Sequence, residues 1–169
     1  MSTPRKSLTS AGFTLIELVI TVALVGLMAM MVLPLYEVTT TRMKESELRH
    51  ALRTIREGLD AYKAAVDDGR LASDAGTSGY PPSLELLTEP LELVSKRDLS
   101  GSQKSQRMVI LRQLPRDPFN NDPDIPAAQT WQTRAYASRT DDPEPGEDVF
   151  DVSSKSDRMA LDGTSYSSW

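Results

Sequence analysis

One carboxylate, Glu17, lies among Phe13, Leu15, Ile16, Leu18, Val19 and Ile20. An acid in a segment apolar enough for a bilayer costs roughly 2.5–3.5 kcal/mol on insertion scales, so it calls for a function and a partner. A second group with chemical capacity lies near the other end. Asp151, Ser153, Asp157 and Asp162 bracket a Ser/Gly-rich loop. Hard oxygen donors at flexible spacing are what a calcium ion takes. The same residues also describe a solvated acidic loop. Between positions 141 and 169 the acids are Asp141, Asp142, Glu144, Glu147, Asp148, Asp151, Asp157 and Asp162, against only Lys155 and Arg158.

Other chemistries find few materials. His50 is the single histidine, set between Arg49 and Ala51 on the polar side of a helical pattern, so neither a histidine-rich zinc site nor a Ser-His-Asp arrangement emerges. There is no cysteine for a disulfide, a thiolate metal site or a thiol nucleophile. Neither a P-loop nor a G-x-G-x-x-G fingerprint is present, so the chain reads as a non-enzyme. The net charge is −5, and no basic stripe with interleaved aromatics marks a nucleic-acid surface.

The elements that position these residues follow from patterning. The 169 residues suffice for about one domain plus an anchor. Leu18 to Tyr36 is nineteen residues without a charge, and with Phe13 to Glu17 it is long enough to cross a bilayer as helix. Arg5 and Lys6 precede it and no acid does, which places residues 1–12 in the cytoplasm and the chain beyond about Tyr36 outside. Beyond it Leu48, Leu52, Ile55, Leu59, Tyr62 and Val66 recur at spacings of four and three, one stripe on one helical face. Residues 13 to about 66 therefore read as one helix of roughly 80 Å. Pro34 lacks a backbone donor; it either loosens this helix or separates two.

Asp67-Asp68-Gly69 is expected to end the helix. Pro81-Pro82-Ser83 opens a short helix to about Leu87, and a helical turn is expected near Pro90–Val94 within a polar loop over 88–107. Met108–Leu111 is a short apolar run. Residues 114–119 carry too much proline for a central strand. Alternation over Thr130–Ser138 and the run Asp148–Ser153 predict two strands of a small antiparallel sheet. The expected class is α+β, divided into a leader at 1–12, a transmembrane half-helix at 13–36, an amphipathic half at 37–66 and a globular part at 67–169.

The run Gly12-Phe13-Thr14-Leu15-Ile16-Glu17, with its basic leader and following apolar helix, closely resembles the class III signal of type IV pilins and type II secretion pseudopilins. The resemblance implies that a prepilin peptidase cuts between Gly12 and Phe13 and methylates the new amino terminus on Phe13. It implies the pilin-like fold, a long helix packed on a small sheet with an irregular C-terminal region. Tyr80-Pro81-Pro82-Ser83, then residues 114–120, an aromatic strand, Ser153–Asp157 and Trp169 resemble the order found in major pseudopilins. In those proteins a calcium ion sits in the loop before the C-terminus. Matching that loop carries the ligand role to Ser153, Asp157 and Asp162, with Asp151 added from its position. The chain departs from the pattern at Phe119-Asn120-Asn121-Asp122-Pro123 and in its polar 88–107 and acidic 141–148 segments.

On this resemblance the chain is expected to be a structural subunit of a type II secretion pseudopilus, anchored in a bacterial inner membrane with its domain in the periplasm. Its expected partners are further copies of itself, other pseudopilins, the prepilin peptidase and an inner-membrane assembly platform. Glu17 is expected to neutralise the amino group of Phe13 on a neighbouring subunit, and Pro34 to mark a stretch that loosens as the subunit leaves the bilayer. A type IV pilin for adhesion, motility or DNA uptake shares the leader and helix. A signal-anchored periplasmic domain that never polymerises gives Glu17 no purpose.

Overall fold

A computed structural model describes residues 12–73, 76–94 and 106–169. Residues 1–11, within the expected leader, and the middle of the 88–107 loop lie outside the described residues. The architecture is α+β: a long N-terminal helix, α1 (Leu15–Asp67), and two small antiparallel sheets. The chain divides into two compact units, residues 1–41 and 42–169, each described by itself.

In the first unit α1 is apolar all round. Its most apolar stretch has a mean hydropathy of 2.6 and none of it is buried, so by length and composition the helix can cross a membrane. The threonines follow the rule for such a setting: Thr21 Oγ1 donates to the Leu18 carbonyl and Thr39 Oγ1 to that of Leu35, each hydroxyl satisfied by its own helix. Pro34 lies inside α1 and does not divide it into two helices.

In the second unit the predicted stripe is the core. Leu48, Leu52, Ile55 and Leu59 are buried and cluster with Leu84, Leu87, Leu114, Trp131, Val149, Val152 and Tyr166. Gly58 costs about 1 kcal/mol of helix propensity. It also admits Leu111, whose Cγ would lie 3.2 Å from a β-carbon there. The helix ends as expected: Gly69 takes φ +68°, and the Arg70 and Leu71 N–H groups turn back to the Ala65 carbonyl.

Strands β3 (Trp131–Arg134) and β4 (Asp151–Ser154) pair antiparallel, Trp131 opposite Ser154 and Arg134 opposite Asp151. Both are shorter than their patterns. Beyond Arg134 the Ala135 and Tyr136 N–H groups bond to the Glu144 carbonyl and the Asp148 carboxylate, and Val149 N–H bonds to the Pro81 carbonyl. Backbone groups given to loops are lost to the ladder. The short helix after Pro82 is a 3-10 turn, Glu85–Thr88, that buries Leu87.

The helical turn expected at Pro90–Val94 is not formed. Leu91–Glu92 is an extended strand, β1, paired with β2 (Arg107–Met108). Leu93 and Val94 continue extended, donating to Gln106 and Arg70 carbonyls. Packing overrides the local signal, because Leu91 is buried against Ala65 and Leu71 in a second apolar cluster.

Candidate assembly site and C-terminal loop

The start of α1 is built for exposure. Phe13 is 82% exposed, Leu15, Ile16, Leu18 and Val19 are exposed as well, and nothing approaches Gly12 within 4 Å of where a β-carbon would stand. Thr14 caps the helix, its Oγ1 accepting the Glu17 N–H at 3.3 Å. Glu17 thus occupies the third helical position, where a negative charge also meets the positive end of the helix dipole. Position explains an acid in the first turn of a water-exposed helix. It does not explain one in an apolar surface, because the Glu17 carboxylate has no hydrogen bond or ion pair among the described residues.

At the far end of the chain the four oxygen-donor residues are placed differently from the expected ligand set. The Asp151 carboxylate accepts from Arg56 Nε at 2.8 Å and faces Arg134 at 3.3 Å. Two guanidiniums already balance its charge. Asp162 Oδ1 accepts the Thr164 N–H at 3.0 Å and its hydroxyl at 2.6 Å, and the other oxygen faces Arg49 at 3.7 Å. The Thr164 bonds hold its carboxyl below the usual carboxylate range. Ser153 is half-buried in β4 and Asp157 is exposed. Among the described residues no three acidic or histidine side chains are grouped to share an ion. Asp151, Ser153, Asp157 and Asp162, the residues expected to hold calcium, therefore stand apart from one another, with Asp151 and Asp162 each bonded to protein groups.

Three polar residues that the sequence reading passed over do organise this region. Glu45, on α1, is only 6% exposed and accepts from Leu161 N–H at 2.8 Å and Tyr166 O–H at 3.0 Å, both on Oε1. Its phase was the available signal: Glu45, Leu48, Leu52, Ile55 and Leu59 share the stripe. Asp117 is 2% exposed and accepts from Phe119 N–H at 2.8 Å and from the Ser154 hydroxyl. Arg56 binds the Val152 carbonyl at 3.0 Å and the main-chain oxygen of Trp169 at 2.9 Å, besides Asp151. Burial and the Glu45 contact together push the Tyr166 hydroxyl up to about 12.

The second unit is thus closed by side chains of α1 reaching residues 151–169, while the first unit presents an apolar surface on which the Glu17 carboxylate has no partner among the described residues. Comparison with protein-family models, with curated proteins and with solved structures finds no match to this chain.

Proposed function

We propose that this chain is a structural subunit of the type IV pilin-like kind that polymerises, after leader removal, into a periplasmic pseudopilus of type II secretion. The observation that carries the reading is the Glu17 carboxylate, without a partner among the described residues, on the exposed apolar start of α1, next to Gly12-Phe13. Peptidase cleavage after Gly12 creates an amino group on Phe13, and methylation leaves it cationic. The acid and the amine are each costly in lipid alone. Between neighbouring subunits they neutralise each other, which sets the register of one helix against the next.

The apolar face that leaves the bilayer is then covered by other copies, so the same surface serves the membrane first and the fibre afterwards. The chain has no nucleotide-binding motif, and an assembly platform supplies the energy. The leader and its basic residues put the processing site on the cytoplasmic face of the inner membrane and the second unit in the periplasm. A type IV pilin shares these features; finding secretin and cargo-secretion genes beside this one would separate the two.

The test is co-expression of Glu17→Leu with wild type. Membrane insertion is expected to persist while the variant is missing from sheared fibres. Equal incorporation of the variant refutes the pairing. The mass of the mature protein provides the second check, expected at the cut after Gly12 plus one methyl group.

A further inference from the structure

The loop before Trp169 is where a calcium ion is expected, and a protein side chain also reaches it from α1. We propose that Glu45 is the staple instead: one buried carboxylate oxygen on α1 closes the C-terminal loop and makes its order independent of any cation. The inference does not depend on polymerisation.

Glu45 Oε1 binds both ends of the loop, the main chain at Leu161 and the hydroxyl of Tyr166. Tyr166 is 1% exposed, stacked on Phe119 at 4.1 Å and edge-on to Trp169 at 5.1 Å, so the hydroxyl it offers to Glu45 cannot swing away. Between these anchors the loop closes on itself. Ala160 N–H bonds to the Thr164 carbonyl at 2.8 Å, Asp162 caps Thr164, Gly163 takes φ +85°, and Trp169 Nε1–H bonds to Thr164 Oγ1 at 2.7 Å.

A calcium ion would need carboxylate and carbonyl oxygens turned inward to it. Here Asp162 is occupied by Thr164 and Arg49, and Asp151 by Arg56 and Arg134. Glu45 forms no ion pair among the described residues. A buried carboxylate without a cation is tolerated only where donors satisfy it, which Leu161 and Tyr166 do.

The experiment uses the full chain in detergent micelles, with thermal unfolding followed by fluorescence of its two tryptophans. Amide exchange is measured at Leu161. Each is recorded in excess EDTA and in millimolar calcium chloride. Wild type is expected to melt at one temperature in both. Tyr166→Phe removes one bond and is expected to lower melting equally in both. Glu45→Ala is expected to speed Leu161 exchange at least about tenfold, the effect of one lost buried hydrogen bond, and Glu45→Gln, which keeps an acceptor oxygen, is expected to speed it less. A melting temperature of wild type that falls in EDTA, with the fall absent in Asp157→Ala/Asp162→Ala, overturns the proposal in favour of a metal. Leu161 exchange unchanged in Glu45→Ala overturns it as well. Should Glu45→Ala fail to fold, Tyr166→Phe and Glu45→Gln decide: exchange at Leu161 unchanged in both overturns the proposal.

Discussion

Replacing Asp117 by alanine is expected to be among the most damaging single changes in the second unit. Asp117 is nearly fully buried, and its two oxygens are divided between Phe119 N–H and the Ser154 hydroxyl. Its own N–H bonds to Thr130 Oγ1 at 3.2 Å. The carboxylate therefore ties the 117–119 turn to β4, and the backbone ties the same turn to the residue before β3. Alanine leaves a buried N–H and a buried hydroxyl without their acceptor. At about 1.5–3 kcal/mol for each of the two bonds to a charged group, the loss is about 3–6 kcal/mol. For a unit of this size that is a fall in melting temperature of about 10–20 °C.

Asp117→Asn separates the contributions. Its carbonyl oxygen still accepts from Phe119, and its amide donates to Ser154 Oγ, so it is expected to lose less than half as much. Tryptophan fluorescence of the full chain in detergent is the assay. Trp131 is buried and its Nε1–H bonds to the Pro115 carbonyl at 2.9 Å, two residues from the mutation. A melting temperature for Asp117→Ala within about 3 °C of wild type refutes the reasoning.

Gly12→Lys is expected to block processing, read as retention of the leader mass on a gel; normal mobility counts against the cut after Gly12. Gly146→Ala places a β-carbon 2.7 Å from that of Ala135, where neither atom is the end of a flexible chain. About 1–3 kcal/mol of destabilisation is expected, and an unchanged melting temperature shows that the loop yields freely. The Tyr166 hydroxyl has its proton affinity raised to about 12 in the fold, against about 10 when unfolded. The unfolded chain therefore loses this proton first, and the associated stability, full below about pH 10, is lost as pH rises toward 12. Tyr166→Phe is expected to flatten that part of the alkaline stability profile, and a profile identical to wild type removes the assignment.

How legible each part was depended on whether its cause was local. The stripe from Leu48 to Val66 and the stop at Gly69 come from periodicity and one left-handed glycine, both local properties. β3 and β4 were placed correctly but drawn too long, because their ends are set by loops that take the Tyr136 and Val149 N–H groups. β1 was read as a helical turn, since only burial of Leu91 against Ala65 makes it extended. Residue type is silent about partners: Asp151 faces arginines that lie 95 and 17 residues away. Phase on the stripe marks Glu45 in advance, whereas nothing in the proline-rich run around Asp117 announces its burial.

The bonds from α1 to the C-terminal loop also set a timetable for biosynthesis. Glu45 meets groups 116 and 121 residues later, and Arg56 meets one 113 residues later. At about 5–20 residues per second, the helix precedes its partners by about 6–23 s. Through that interval Leu48, Leu52, Ile55 and Leu59 have no sheet to cover them. Such long loops also slow closure once the chain is complete. A nascent chain of this kind has to be held by a membrane, a translocation pore or a chaperone until its last segment arrives. A ribosome stalled before residue 161 would display this helix with its apolar stripe bare, a substrate for quality-control proteolysis.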